Sequence, residues 1–136
     1  MIEHINTVPQ TVETGQSVIY NNIAVRSKCA AERHRAGSAQ VQLTQPGRYL
    51  VTFSGNIAVP TGGTVGEISL GIAQDGEILG GSLMRVTPAA VEEFFNVSTQ
   101  HYVDVVCGCC VNVSVQNASG QPVLVDNPNL TAVRVC

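Results

Sequence analysis

The stretch Gln42-Leu43-Thr44-Gln45-Pro46-Gly47-Arg48-Tyr49-Leu50-Val51-Thr52-Phe53-Ser54-Gly55 decides the fold class. From Tyr49 onward its period is two. Tyr49, Val51, Phe53, Gly55, Ile57 and Val59 form one face, apolar or glycine. Thr52, Ser54 and Asn56 form the other, with Leu50 and Ala58 as exceptions. Successive side chains of a strand point to opposite faces, so this alternation predicts a half-buried strand of an antiparallel sheet. Gln45-Pro46-Gly47 reads as the turn that precedes it, and Thr61-Gly62-Gly63-Thr64 as the turn that follows.

The same period recurs along the chain. Val41 and Leu43 alternate with polar neighbours, as do Ile68, Leu70 and Ile72 and, later, Val111, Val113 and Val115. Asp75-Gly76 is a two-residue hairpin signal, because both central residues of such a turn need positive φ. Asn117-Ala118-Ser119-Gly120 and Asp126-Asn127-Pro128-Asn129 read as turns that close later strands. Pro88-Ala89-Ala90-Val91-Glu92-Glu93 alone looks helical, and it runs at once into the strand-like Phe94-Phe95-Asn96-Val97-Ser98. Short strands with polar turns and no convincing helix predict a sandwich or jelly roll.

Composition agrees. The chain has 136 residues, enough for one core, and 21 of them are valine, which suits a pleated surface. Only 12% of residues are charged, against the usual ~25%. A net charge of −3 argues against nucleic acid and against a polybasic membrane anchor. No apolar run approaches the ~20 residues that span a bilayer. Met1-Ile2-Glu3-His4-Ile5-Asn6-Thr7 has neither a basic nor an apolar signal region, so synthesis in a cytoplasm without standard export is expected.

The residues that could carry chemistry give weak signals. Five cysteines are present: Cys29, Cys107, Cys109, Cys110 and Cys136. Without an export signal the expectation is reduced thiols that behave as small hydrophobes at a turn. A disulfide to Cys29 or between chains, and a zinc site shared with a histidine, stay open as alternatives, although the spacing does not match the usual zinc knuckle. His4, His34 and His101 show no metal-binding spacing and read as structural or solvent-facing. Glu32-Arg33-His34-Arg35 reads as a solvated loop. Its Arg33, His34 and Arg35 could instead meet an anionic or glycan partner. Ser54 lies within a strand and not at a nucleophile elbow, and paired carboxylates are scarce. No catalytic residue, cofactor or metal is assigned, and the chain reads as a non-enzyme.

Taken in order, the series is familiar. The 42–55 stretch resembles the Leu-x-x-x-Gly-x-Tyr-x-Val-x-Phe segment of the jelly-roll family of the complement component one q globular head and tumour necrosis factor. Phe95 to Ser98, Val103 to Val105, Gly108 and Val111 to Asn117 resemble that family's late strands, and Leu130 to Val135 its closing strand. The match covers residues 16–136 and looks closest to short bacterial and phage members. Residues 1–15 read as an N-terminal arm or edge strand. Calcium-site carboxylates have no clear counterpart, no Gly-X-Y stalk precedes the domain, and the cysteine cluster is not part of the family pattern.

The resemblance implies a ten-stranded antiparallel jelly-roll sandwich that forms a homotrimer. Independently, Val103 to Cys107 and Val123 to Val125 are apolar on both faces, whereas a two-sheet sandwich buries one, so a self-complementary partner is expected. The expected trimer interface draws on Tyr49, Phe53, Tyr102, Asp104, Val106, Val133 and Val135. The functional expectation is a structural or binding protein on a particle surface: a phage capsid decoration, or a head- or tail-fibre component in the virion. Its partners would be itself, a capsid or tail protein, and a host surface glycan or protein. The alternative is a bacterial cell- or spore-surface carbohydrate-binding module.

Overall fold

A computed structural model describes residues 1–25, 32–33, 38–106 and 110–136. Among these it contains twelve strands and one short 3-10 turn, Gly80–Ser82. The strands are β1 (Ile2–Ile5), β2 (Gln10–Val12), β3 (Asn22–Val25), β4 (Glu32–Arg33), β5 (Val41–Leu43) and β6 (Gly47–Ala58). They continue with β7 (Ile68–Gln74), β8 (Glu77–Ile78), β9 (Met84–Val86), β10 (Phe95–Val105), β11 (Val111–Asn117) and β12 (Val123–Arg134). They form two six-stranded sheets with antiparallel pairing throughout. The first runs β10-β6-β12-β1-β3, with β2 also on β12. The second runs β4-β5-β11-β7-β8, with β9 also on β7.

The expected ten strands become twelve. Several of the additions have only two to four residues, too short for alternation to register. The N-terminal residues are divided between two situations. β1 lies inside its sheet with β12 and β3 on either side, whereas β2 pairs with β12 alone. The Asp75-Gly76 hairpin forms between β7 and β8, with φ of 52° and 87° at the two turn residues.

Asp126-Asn127-Pro128-Asn129 does not end a strand. β12 passes through it, and the residue count shows why. Asp126 pairs with Asn56 and Asn129 with Ser54, so three steps on β12 match two on β6. The extra residue is a bulge, and Asn127 absorbs it with φ of 49°.

The core lies between the sheets. Tyr49, Val51, Phe53 and Ile57 from β6 meet Leu43, Ile68, Leu70, Ile72, Val113 and Val115 from the second sheet, all fully buried. Burial of such a side chain contributes about 1.5–3 kcal/mol. Asn117 is buried as well. Its amide nitrogen donates to Val12 O at 2.9 Å and Gln121 O at 2.8 Å, and its oxygen accepts from Ser119 N. One side chain thus ties β11 to β2 and to the loop before β12. Cys110 is disulfide-bonded, which corrects the expectation of reduced thiols there. Cys136 is a free, exposed thiol. Cys29, Cys107 and Cys109 lie outside the described residues.

Candidate functional surface

The outer face of the first sheet is built by parity. With Tyr49, Val51 and Phe53 turned inward, the even residues of β6 must face outward. On β10 the even positions are likewise exposed. Register then sets these residues in rungs. Leu50 pairs with Tyr102 on one side and Val133 on the other. The next rung is Gln100, Thr52, Thr131 and Glu3. After it come Ser98, Ser54 and Asn129, and then Asn96, Asn56 and Asp126.

One end of this face is apolar. Tyr102 is 59% exposed, Val106 72% and Val135 49%. Leu50 and Val133 are half-buried between them. Beside this rung stands a bidentate ion pair. Arg48 donates from Nε to Asp104 Oδ1 at 2.7 Å and from a terminal nitrogen to Oδ2 at 3.1 Å. The hydrogen bond to Arg48 holds the Asp104 carboxyl below its usual range, and the same bond holds the Arg48 guanidinium above its own. The pair fixes the orientation of two charges at the rim of the apolar rung, and both groups face solvent.

The remainder of the face is polar and carries little charge. Asn96 donates to Asn56 across the strands at 3.2 Å, and Asn129 donates to Glu3 at 2.8 Å. Thr52, Ser98, Thr99 and Gln100 line a shallow hollow of about 270 Å³. A second hollow of about 420 Å³ lies at the β7–β8 hairpin, lined by Gln74, Asp75, Glu77, Ile78, Leu79 and Gly80. There Asp75 is already engaged, accepting from Asn112 N at 3.0 Å. Among the described residues no three His, Cys, Asp or Glu side chains group as metal ligands.

The expected interface residues separate into two sets. Tyr102, Asp104, Val106, Val133 and Val135 come together at the apolar end of the outer face. Tyr49 and Phe53 do not join them. Both are fully buried between the sheets, with the Tyr49 hydroxyl donating to Gln45 O at 2.8 Å. They belong to the core of one chain because their parity on β6 is the inward one. Leu50, which was not among the expected residues, lies in the same rung between Tyr102 and Val133. Its signal was the broken alternation itself, an apolar residue at an outward position. In the Arg33, His34 and Arg35 loop, the backbone of Arg33 lies in β4, and His34 and Arg35 fall outside the described residues. His4 is fully buried with its ring 5.6 Å from that of Tyr20, a hydroxyl whose pKa burial raises. His101 is half-buried, with Nδ1 2.7 Å from Tyr102 O.

No protein-family model matches the sequence, and no curated protein does. Solved structures do match the fold. The globular domain of zebrafish complement 1qA protein has a TM-score of 0.64 at 8% identity, covering 99% of this chain and 96% of that one. Eiger TNF from S. frugiperda has a TM-score of 0.70 at 11% identity, covering 100% and 92%. PRD1 vertex protein P5 has a TM-score of 0.50 at 16% identity, covering 99% and 96%. The chain has the jelly-roll fold found in the complement 1q globular domain, in tumour necrosis factor-like proteins and in a phage vertex protein.

Proposed function

We propose that this chain is a non-enzymatic structural and binding protein whose copies associate as a homotrimer through the outer face of the first sheet. The observation that carries this is the rung of Tyr102, Leu50 and Val133. Three apolar side chains lie side by side on an open face, extended by Val106 and Val135. Apolar groups contiguous on a solvated face favour a partner that removes them from water. The same rung on every copy allows a closed, symmetric assembly. Threefold symmetry comes from the resemblance to the complement and tumour necrosis factor fold.

Within this reading the trimer sits on a particle surface, as a phage capsid decoration or a head- or tail-fibre component. The vertex protein among the structural neighbours supports that setting. Three copies presented together raise a weak site to useful avidity without a deep pocket. A second reading, a bacterial surface module for carbohydrate, draws on the uncharged hollow of Thr52, Ser98, Thr99 and Gln100, whose hydroxyls and amide suit a neutral polyhydroxylated ligand.

Light scattering at micromolar concentration tests the assembly. The expected mass is three times the 14.3 kDa of the chain. A monomer at that concentration overturns the reading. Antibodies to the chain, applied to particles released by producing cells, separate the virion from the cell surface.

A further inference from the structure

The opposite end of the sandwich carries a second exposed apolar group. Phe94 is 43% exposed, Phe95 37%, Val65 47% and Val91 40%. Two of the chain's three phenylalanines, neighbours in sequence, are thus exposed at this end. Their loops are tied together. Glu92 N donates to Val59 O at 2.8 Å, Thr61 Oγ1 donates to Glu92 Oε1, and Thr64 N donates to Gln121 Oε1 at 3.2 Å. Glu92 holds φ of 57°, a left-handed conformation that a non-glycine residue adopts at a cost. Exposed Glu13, Glu67, Glu92 and Glu93 share this end. Among the described residues, Arg85 on β9 is the one positive charge in that half.

The sequence concentrates its positive charge elsewhere. Arg26, Lys28, Arg33 and Arg35 are four of the seven basic residues, and only Glu32 opposes them in that segment. β4, within the segment, pairs with Gln42 and Leu43 next to the turn into Gly47. Phe95 instead pairs with Ile57 at the other end of β6. At about 3.3 Å per residue those ends are roughly 35 Å apart. β4, the described part of that segment, thus stands at the far end of the sandwich from Phe95 of its own chain, where a second copy can meet that end.

We propose that the acidic, aromatic loop end receives the 26–35 segment of a second copy, so that copies join end to end. The phenylalanines supply an apolar anchor and a face for arginine, and the glutamates supply charge complementarity and orientation. The contact is heterologous and leaves both ends open on the outer copies, so it propagates as a linear array. It lies at the opposite end of β6 from the Tyr102 rung, and it stands or falls independently of the threefold contact.

Sedimentation velocity of the whole chain tests it at about 0.02 M and about 0.5 M salt, where the screening length changes several-fold. At high salt the mass reads the basic unit, three chains or one. At low salt the expected result is growth to multiples of that unit. Phe94→Ser and the double variant Glu67→Lys with Glu93→Lys abolish the growth and leave the high-salt mass unchanged. All three positions are exposed, and circular dichroism confirms that each variant is folded. A synthetic peptide of residues 25–37 carrying Cys29→Ser binds the wild type at low salt and binds either variant about tenfold or more weakly. Equal mass at both salts, no binding of the peptide, or growth that survives either variant overturns the proposal.

Discussion

On the second sheet, β7 is buried on both faces. Ser69, Gly71 and Ala73 occupy its outward positions and are as hidden as Ile68, Leu70 and Ile72. The chain supplies the cover itself. A Cβ on Gly71 would stand 2.8 Å from Ile78 Cγ2 and 3.1 Å from Leu83 Cδ2, so the returning segment presses directly on that strand. Ser82 completes the edge between β8 and β9, accepting from Ile72 N at 2.9 Å and donating to Leu79 O at 2.7 Å. On the first sheet no described strand or loop packs over the outer face in this way, and the Tyr102, Leu50 and Val133 rung stays open among the described residues. Two sheets with similar cores thus differ at the back: the chain's own loop covers one, and on the proposed reading a second copy covers the other.

That contrast can be broken at several points. Phe53→Ala has the largest expected effect. It empties a core site shared by the two sheets and lowers stability by about 3–5 kcal/mol in urea unfolding. A loss below about 1 kcal/mol accompanied by dissociation would return Phe53 to the interface. Gly71→Val forces a branched side chain against Ile78 and Leu83 and costs about 1–3 kcal/mol without altering the mass of the assembly. Ser82→Ala leaves the buried Ile72 amide without its acceptor and costs about 1–3 kcal/mol, again with the mass unchanged. If either second-sheet variant dissociates the assembly, the division between the two faces is wrong.

The smallest effect concerns the Arg48–Asp104 pair. The bond to Arg48 depresses the folded-state pKa of Asp104, so the contribution of the pair is present above the ordinary carboxylate range. It is lost as pH falls through the lowered folded value. Both groups face solvent, so screening keeps the effect slight. Asp104→Asn is expected to shift the unfolding midpoint less than any variant above and to remove a weak acid-side slope. An unchanged slope below the carboxylate range would show that the pair adds nothing.

Much of the fold was legible because long strands write their period into the sequence. β6, β7 and β11, the short β5 and the Asp75-Gly76 turn all follow from alternation and turn chemistry. β1 was harder. It places His4, a polar residue, at a fully buried position, and four residues give alternation little room. In the sequence β12 looks like two pieces because Asn127-Pro128 has turn chemistry, and a bulge uses the same residues as a turn. The candidate surface was half legible. Composition marked Tyr102, Val106, Val133 and Val135 as apolar, but only strand register shows that Leu50 lies between Tyr102 and Val133 and that Tyr49 and Phe53 face the other way.

The most direct test is sedimentation equilibrium of Leu50→Asp beside the wild type, both at about 0.5 M salt. A carboxylate in the centre of the rung should reduce a three-chain mass to one chain, while the unfolding midpoint of the isolated protomer changes little, because Leu50 lies outside the core of its own chain. A variant that keeps the wild-type mass would show that copies do not meet on this face.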